Sequence, residues 1–242
     1  MESIVVLTGA GISAESGLAT FRDADGLWQG YKIEEVCTPT AFKSDPAKVQ
    51  SFYNQRRQEL QNNIQPNAAH IALAEFARQY PGRFTLITQN VDNLHERAGS
   101  EKVLHMHGEL LKVRCQRTFR VYHWTSPILP STPCPCCNQT KTLRPHIVWF
   151  DEIPFYMLDI NEALQQCDRF IAIGTSGQVQ PAASFVEMAK SCNAQTVSLN
   201  YAPANGDFEQ HIQGLASQIV PDYFGQLLSH AVSQKSHKQH LM

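Results

Sequence analysis

The chain has 242 residues, 43 % hydrophobic and 17 % charged, with a formal net charge of −2. That length carries one sizeable core, or one core with a small appended lobe. The absence of any long run of one sign argues against nucleic acid or an anionic membrane as partner, and no apolar stretch reaches the roughly 20 residues of a membrane span. The first strand pattern begins at residue 4 and leaves no room before it for a signal peptide, so the expected compartment is the cytoplasm.

Residues 4–7 (IVVL) form an apolar run that ends in Thr8 and Gly9-Ala10-Gly11. This reads as strand, tight turn and helix start. Glycines there let backbone N–H groups approach a ligand, and a helix N-terminus favours a pyrophosphate. Gly9-x-Gly11-x-x-Ala14 is a relaxed dinucleotide fingerprint. The acidic residue expected about 20 positions on is missing; Gln29 and Gly30 stand there. The stretch therefore predicts a phosphate-bearing ligand, a nucleotide. Residues 12–36 lack a sustained period and hold Gly17, Asp23, Asp25, Gly26 and Gly30. They read as a long ordered loop or a broken helix, of a length that is usually functional and often a lid, with Phe21, Arg22, Leu27 and Trp28 as anchors.

Ser44-Asp45-Pro46 is a helix start, and the helix is expected to run to about residue 62. Val49, Phe52, Tyr53, Arg56 and Leu60 share one face by their spacing. Pro66-Asn67 starts a second helix, closed by Pro81-Gly82. Residues 84–88 (FTLIT) are a buried parallel strand that runs into Gln89-Asn90-Val91-Asp92. Residues 103–112 read as a third strand broken at Gly108. From 113 to 144 the composition turns to cysteine, proline and polar residues, which marks an inserted module. Residues 147–150 are a short extended segment, and 153–167 carry a helical pattern. Residues 170–173 are a strand ending in Gly174-Thr175-Ser176. Residues 181–192 are a helix, and 196–199 a strand ending in Asn200. A last strand is expected at 218–220, and 233–242 as a frayed tail. Strands alternate with helices, and four strand ends carry polar residues: Thr8-Gly9, Gln89-Asn90, Gly174–Ser176 and Asn200. In an open parallel sheet those ends meet along one ligand-binding edge.

Seven cysteines are present, and four of them fall between 115 and 137. Without an export signal, a metal is the better use than disulfides. Cys134 and Cys137 form C-x-x-C, with Cys115 19 residues upstream of Cys134, a spacing suited to a zinc ribbon. Position 118, which would complete the set, is Thr; Cys136 or a histidine such as His123 could substitute. Such a closed thiolate site would be structural. His107 is a candidate general base. His105 shares its side-chain direction by strand parity.

In order and spacing, Gly9-Ala10-Gly11-Ile12-Ser13, Gly17, Thr20-Phe21-Arg22, Gln89-Asn90-Val91-Asp92, His107-Gly108 and Gly174-Thr175-Ser176 resemble the sirtuins, the NAD-dependent protein-lysine deacylases. MHGELLKVRC (106–115) and LRPHIVWF (143–150) most resemble the bacterial CobB-type branch. The resemblance implies an α/β fold: a Rossmann-like parallel sheet with helices on both faces, plus a small lobe made of a helical insertion and a zinc-ribbon-like insertion. It implies one catalytic domain, with a large lobe at approximately 1–28, 67–112 and 146–232, a small lobe at 29–66 and 113–145, and a disordered tail at 233–242. Gly9, Ala10, Gly11, Ser13, Ala14, Thr20, Phe21, Arg22 and Trp28 would wrap the ADP part of NAD. Gln89, Asn90, Val91 and Asp92 would line the nicotinamide and ribose pocket, and Gly174, Thr175, Ser176, Asn200 and Ala216 the adenosine side. His107 would accept a proton from a ribose hydroxyl, with Asn90 and Asp92 also catalytic, and the products would be free lysine, nicotinamide and O-acyl-ADP-ribose. Val148, Trp149 and Phe150 would pair with the substrate peptide as an added strand. One structural zinc ion would sit on Cys115, Cys134 and Cys137. The implied partners are acyl-lysine proteins or peptides, with no nucleic acid and no membrane, and a monomer is the expected state.

Tyr53 and Arg56, at i and i+3, offer a hydroxyl and a guanidinium to one point, as carboxylate binding requires. Tyr-x-x-Arg here resembles the sirtuin subclass that removes succinyl and malonyl groups. Cys37 falls where that subclass has a small residue, usually Ala. The rival readings are a protein ADP-ribosyltransferase using the same NAD site and a non-catalytic NAD-binding module. Tyr-x-x-Arg counts against the first, and Asn90, Asp92 and His107 against the second. The missing ribose acid and the cysteine insert disfavour a plain dehydrogenase.

Overall fold

A computed structural model describes residues 2–19 and 30–239. In chain order the elements are β1 (Ser3–Thr8), α1 (Gly11–Ala14), α2 (Ile33–Val36), α3 (Pro39–Ser44), α4 (Pro46–Gln61), α5 (Ala68–Gln79), β2 (Arg83–Thr88), α6 (Leu94–Arg97), β3 (Val103–His105), β4 (Gly108–Cys115), β5 (Val121–His123), β6 (Leu143–Ile147), α7 (Met157–Gln165), β7 (Arg169–Ile173), α8 (Phe185–Ser191), β8 (Gln195–Asn200), β9 (Gln210–Gln213) and α9 (Ala216–Gln239). Six parallel strands form one sheet in the order β3-β2-β1-β7-β8-β9, and an antiparallel sheet runs β5-β4-β6. The polar residues after β1, β2, β7 and β8 therefore share one edge.

Strand β1 shows why this sheet is a middle layer. Val5 and Leu7 pack with Ile160, Leu164, Phe170 and Phe185. Ile4 and Val6 point the other way, against Leu73, Phe76, Val220 and Phe224. Alternate side chains leave opposite faces of a strand, so an uninterrupted apolar run is what two helical layers require. Helix α4 packs separately, with Val49, Phe52, Tyr53 and Leu60 against Leu110, Ile147 and Trp149. Its start is capped as the sequence indicates: the Asp45 carboxylate accepts from Lys48 N at 2.9 Å, with Pro46 in the first turn. Asn67 caps α5 in the same way, with His70 completing a capping box.

Several expectations are corrected. Residues 103–112 are not one interrupted strand. The chain turns at Met106-His107, and β3 and β4 belong to different sheets. Gly108 sits at φ +83 with a would-be Cβ 2.1 Å from His146 O, so only glycine allows this crossing. Of 147–150, only Ile147 is in a strand. Residues 218–220 are helical: Val220 and Phe224 are one turn apart on the apolar face of α9. The last strand is the short, polar β9, which carries no apolar signal. The short helices α1 and α2 fall at the two ends of 12–36, as the broken-helix alternative had it, while α3, with Thr38 and Pro39 as its start signal, was not expected before α4. The helix expected from 153 begins at Met157, after Tyr156 at φ +60. That expected from 181 opens with a 3₁₀ turn at Ala182–Ser184. Helix α9 continues to Gln239 in place of a tail fraying from 233. Among the described residues, no helix is long and apolar enough to cross a membrane.

Candidate active site

At the shared edge, backbone meets backbone. Gly9 N donates to Ile173 O at 2.9 Å, and Gly11 N to Gly174 O at 2.8 Å. A Cβ on Gly11 would lie 2.8 Å from Gly174 Cα, and one on Gly174 2.3 Å from Ile12 N. The glycines thus lock the turns after β1 and β7 together. The helix that follows is a single turn, α1, which places Ser13 at the centre of a buried network. Asn90 Nδ2 donates to Ser13 Oγ at 3.2 Å and to Gly9 O at 3.1 Å. Ser13 Oγ donates to Asp92 Oδ2 at 3.0 Å. Asp92 Oδ1 accepts from Leu94 N at 3.0 Å. Burial raises the Asp92 carboxyl pKa, against the bonds from Leu94 and Ser13. Behind Ser13, His70 accepts from Asn67 N at Nδ1, which leaves Nε2 to donate to Ser13 Oγ at 3.4 Å. Burial lowers the His70 pKa to about 4, so the ring is neutral.

The two candidate histidines separate in space. His105 donates from Nδ1 to Asn90 O at 3.2 Å, and its Nε2 lies 2.6 Å from Glu96 Oε1. Burial alone would lower its pKa, but Glu96 overcomes that and raises it. His107, displaced by the turn after β3, lines the cavity. Its Nδ1 donates to Gln89 O at 3.0 Å. That bond fixes the tautomer and leaves the Nε2 lone pair to accept a proton. Burial lowers its pKa, against the Gln89 carbonyl. A neutral imidazole of fixed tautomer is a competent base near pH 7.

A second wall comes from α4 and the strap after β6. Trp149 Nε1 donates to Tyr53 Oη at 2.9 Å, and Cys37 Sγ lies 3.3 Å from that oxygen. Burial pushes the Cys37 thiol up to about 12. Arg56 is 7 % exposed. The strap is held by Glu152, which accepts from Trp149 N at 2.9 Å and from Arg144 Nη1 and Nη2 at 2.7 and 2.9 Å. The Arg144 guanidinium also stacks 3.4 Å from the Trp149 ring centre. Burial would raise the Glu152 pKa, but Arg144 and the Trp149 N–H hold it below the usual range.

The walls enclose a cavity of about 820 Å³, within the usual range for small-molecule sites. Of the residues expected from sequence, Gly9, Ala10, Gly11, Ser13, Ala14, Tyr53, Arg56, Gln89, Asn90, Val91, Asp92, His107, Val148, Trp149, Phe150, Gly174, Thr175, Ser176, Asn200 and Ala216 all line it. Thr20, Phe21, Arg22 and Trp28 lie outside the described residues, as does most of the expected lid. Sequence reasoning missed Glu59, Gln178–Pro181 and Tyr201–Pro203, which also line the cavity. The last two extend the strand ends after β7 and β8, and that position was the available signal.

Away from the cavity, Cys115, Cys134, Cys136 and Cys137 bring their sulfurs within 4.8 Å of one another. Tetrahedral zinc with Zn–S near 2.3 Å needs S···S edges of about 3.8 Å. Cys134–Cys136 at 3.3 Å and Cys115–Cys137 at 4.0 Å bracket that value. The donor set therefore fits a closed, structural ion. Cys136 joins the three cysteines expected, and Thr118 Oγ1 lies 3.1 Å from its sulfur.

The sequence pattern of the Sir2 family matches residues 9–181. The chain is 54 % identical over 228 residues to an NAD-dependent protein deacylase of Escherichia coli (strain K12), covering 93 % of this chain and 82 % of that one. Among solved structures, a Sir2 homologue in complex with NAD superposes with a TM-score of 0.84 at 38 % identity, covering 96 % of this chain and 90 % of the other. A mutant Sir2 homologue in complex with 2′-O-acetyl-ADP-ribose gives 0.83 at 39 % identity, covering 96 % and 92 %.

Proposed function

The chain belongs to the Sir2 family of NAD-dependent protein deacylases, and on that premise we propose that it removes both acetyl and acidic acyl groups, succinyl and malonyl, from lysine side chains. The observation that carries the acidic specificity is Arg56, a buried guanidinium in the cavity wall whose Nη1 has no hydrogen-bond partner among the described residues. A buried charged donor left unpaired is costly, and an acyl carboxylate would satisfy it. Trp149 fixes the Tyr53 hydroxyl in the same cavity wall.

NAD would lie along the strand ends, with Gly9–Ala14, Gln89 and Gly174–Ser176 about its phosphates and riboses and Asn200 and Ala216 toward adenosine. Bound there, it supplies a glycosidic C–N bond whose cleavage makes the ribose carbon an electrophile for the acyl oxygen. His107 Nε2 takes a proton from a ribose hydroxyl. Ser13 couples Asn90 to Asp92, so both side chains are set before the substrate arrives. Val148–Phe150 offers backbone to the peptide. The site's main contributions are orientation and exclusion of water. Zinc on the four cysteines would tie the end of β4 to the loop at 134–137.

The test is kcat/KM on one peptide carrying acetyl- or succinyl-lysine. Losing a charge-assisted contact to a buried carboxylate costs about 1.5–3 kcal/mol. Arg56→Met should therefore lower the succinyl-to-acetyl ratio by one to two orders of magnitude. An equal loss on both peptides would sink the acidic-acyl assignment.

A further inference from the structure

One carboxylate of the cavity wall is bonded to Arg56 itself. Glu59 lies three residues beyond Arg56 on α4 and lines the same cavity. It grips the guanidinium side-on: Arg56 Nε donates to Oε2 at 2.8 Å and Nη2 to Oε1 at 2.9 Å. Gln55 Nε2 also donates to Oε1, at 3.0 Å. Two parallel charge-assisted bonds are the geometry in which arginine receives any carboxylate. The other guanidinium edge, formed by Nη1 and Nη2, contains the buried nitrogen that has no partner among the described residues. The guanidinium carbon sits 4.9 Å from the Phe52 ring centre, over its face. Packed there and 7 % exposed, Arg56 is held beside Glu59.

Resting on the acidic-acyl reading, we propose that Glu59 is a specificity-determining residue, an internal carboxylate that occupies one edge of Arg56 and limits the preference for acidic over neutral acyl groups. A succinyl or malonyl carboxylate meets Arg56 only along the Nη1/Nη2 edge. One positive charge is then shared by two negative ones. An acetyl group meets a pair that is already neutral and asks nothing further of it. Glu59 thus accounts for an enzyme that accepts both kinds of chain. Its side chain is 40 % exposed, so water screens part of the repulsion. The result is a tuned ratio, not an excluded substrate.

The experiment compares the parent, Glu59→Gln, Arg56→Met and the double variant. Each is assayed on one peptide bearing acetyl-, succinyl- or succinamoyl-lysine, the last being the neutral isostere of succinyl. Removing one like charge near the acyl carboxylate should raise the succinyl-to-acetyl ratio of kcat/KM about tenfold in Glu59→Gln. The succinamoyl-to-acetyl ratio should stay within about twofold, because charge and not length is at issue. The gain should vanish in the Arg56→Met background. Glu59→Met should give the same sign, so poor folding of one variant does not leave the question open. A succinyl ratio that stays level or falls, or a rise shared by succinamoyl, overturns the proposal while Arg56→Met still reports on the acidic pocket. If neither the parent nor any variant removes succinyl, and Arg56→Met changes no ratio, the acidic-acyl reading itself falls and this proposal with it.

Discussion

On the strand-end wall, Gly9, Gly11 and Gly174 press backbone against backbone, and Ser13, Asn90 and Asp92 are bonded to one another. On the second wall, Tyr53, Arg56 and Trp149 are long side chains hung from α4 and a strap, with a guanidinium nitrogen unpartnered among the described residues. The first wall is fixed by the chain's own covalent geometry, so little there can change without losing the turn. The second is fixed by side-chain pairing and tolerates exchange one residue at a time. On the proposed function, chemistry would sit on the rigid wall and acyl selection on the adjustable one.

The sharpest way to separate the walls is to remove the base. His107→Ala should lower kcat by roughly 10²–10⁴ for every acyl group alike. ADP-ribose affinity, measured by calorimetry, should change only a few-fold, since His107 bonds the backbone and not the network around Ser13. An effect confined to succinyl substrates would break the division.

The next effect falls on the second wall. Arg144→Ala removes the bonds to Glu152 and Ile147 O and the stack on Trp149. Breaking such a largely buried pair should cost about 2–4 kcal/mol of stability by denaturant titration. Peptide KM should rise by about tenfold, as expected for a lost positioning contact worth about 1.4 kcal/mol. ADP-ribose affinity should move much less. If cofactor and peptide binding fall together, the walls are one cooperative unit.

How far the sequence revealed each wall follows the same division. Glycine turns at strand ends are local signals, because a Cβ would clash wherever the backbones meet, and those residues were legible. Asp45-Pro46 and Asn67 marked their helices for equally local reasons. Adjacent Arg56 and Arg57 were not distinguishable from chemistry. One faces the cavity, while the other is 1 % exposed and donates to Leu110 O at 3.1 Å. Helical spacing put Arg56 on the face of Tyr53 and Leu60, but which face meets a cavity is set by tertiary packing, and only the resemblance to a known pattern gave Arg56 a role. The same holds for His105 and His107, which strand parity placed on one side; the turn between β3 and β4 separates them. Glu59 was invisible because its meaning depends on which edge of Arg56 it takes. Strand β9 was missed because a short, polar edge strand buries too little to leave a pattern.

Acid should weaken the strand-end wall. His70 is held neutral with its pKa lowered to about 4, and burial also lowers that of His95, which bonds Thr8. In the unfolded chain these rings take up protons near pH 6.5. The unfolded state therefore binds more protons below that pH, and stability declines as pH falls from 6.5 toward 4. Thermal melting across that window should show the decline, and His70→Gln should flatten part of it. A melting temperature independent of pH there would contradict buried neutral imidazoles behind Ser13.

The smallest expected change lies at Cys37, where the second wall is filled by a thiol. It is 4 % exposed and stays protonated, since burial pushes it up to about 12. It therefore acts through volume and through its contact with Tyr53 Oη, not as a nucleophile. Cys37→Ala removes one sulfur atom from the pocket and leaves Tyr53 held by Trp149. The stability cost should be about 1 kcal/mol, the scale of a small cavity. Room gained at the acyl end should favour longer acidic chains, so the glutaryl-to-malonyl ratio of kcat/KM should rise about two- to fivefold, the scale of a single added methylene's fit. Iodoacetamide should label Cys37 slowly in the folded protein and readily in urea. Fast labelling of the native thiol, or a glutaryl ratio that falls, would show that Cys37 is held by something other than packing and would remove it from the wall that selects acyl length.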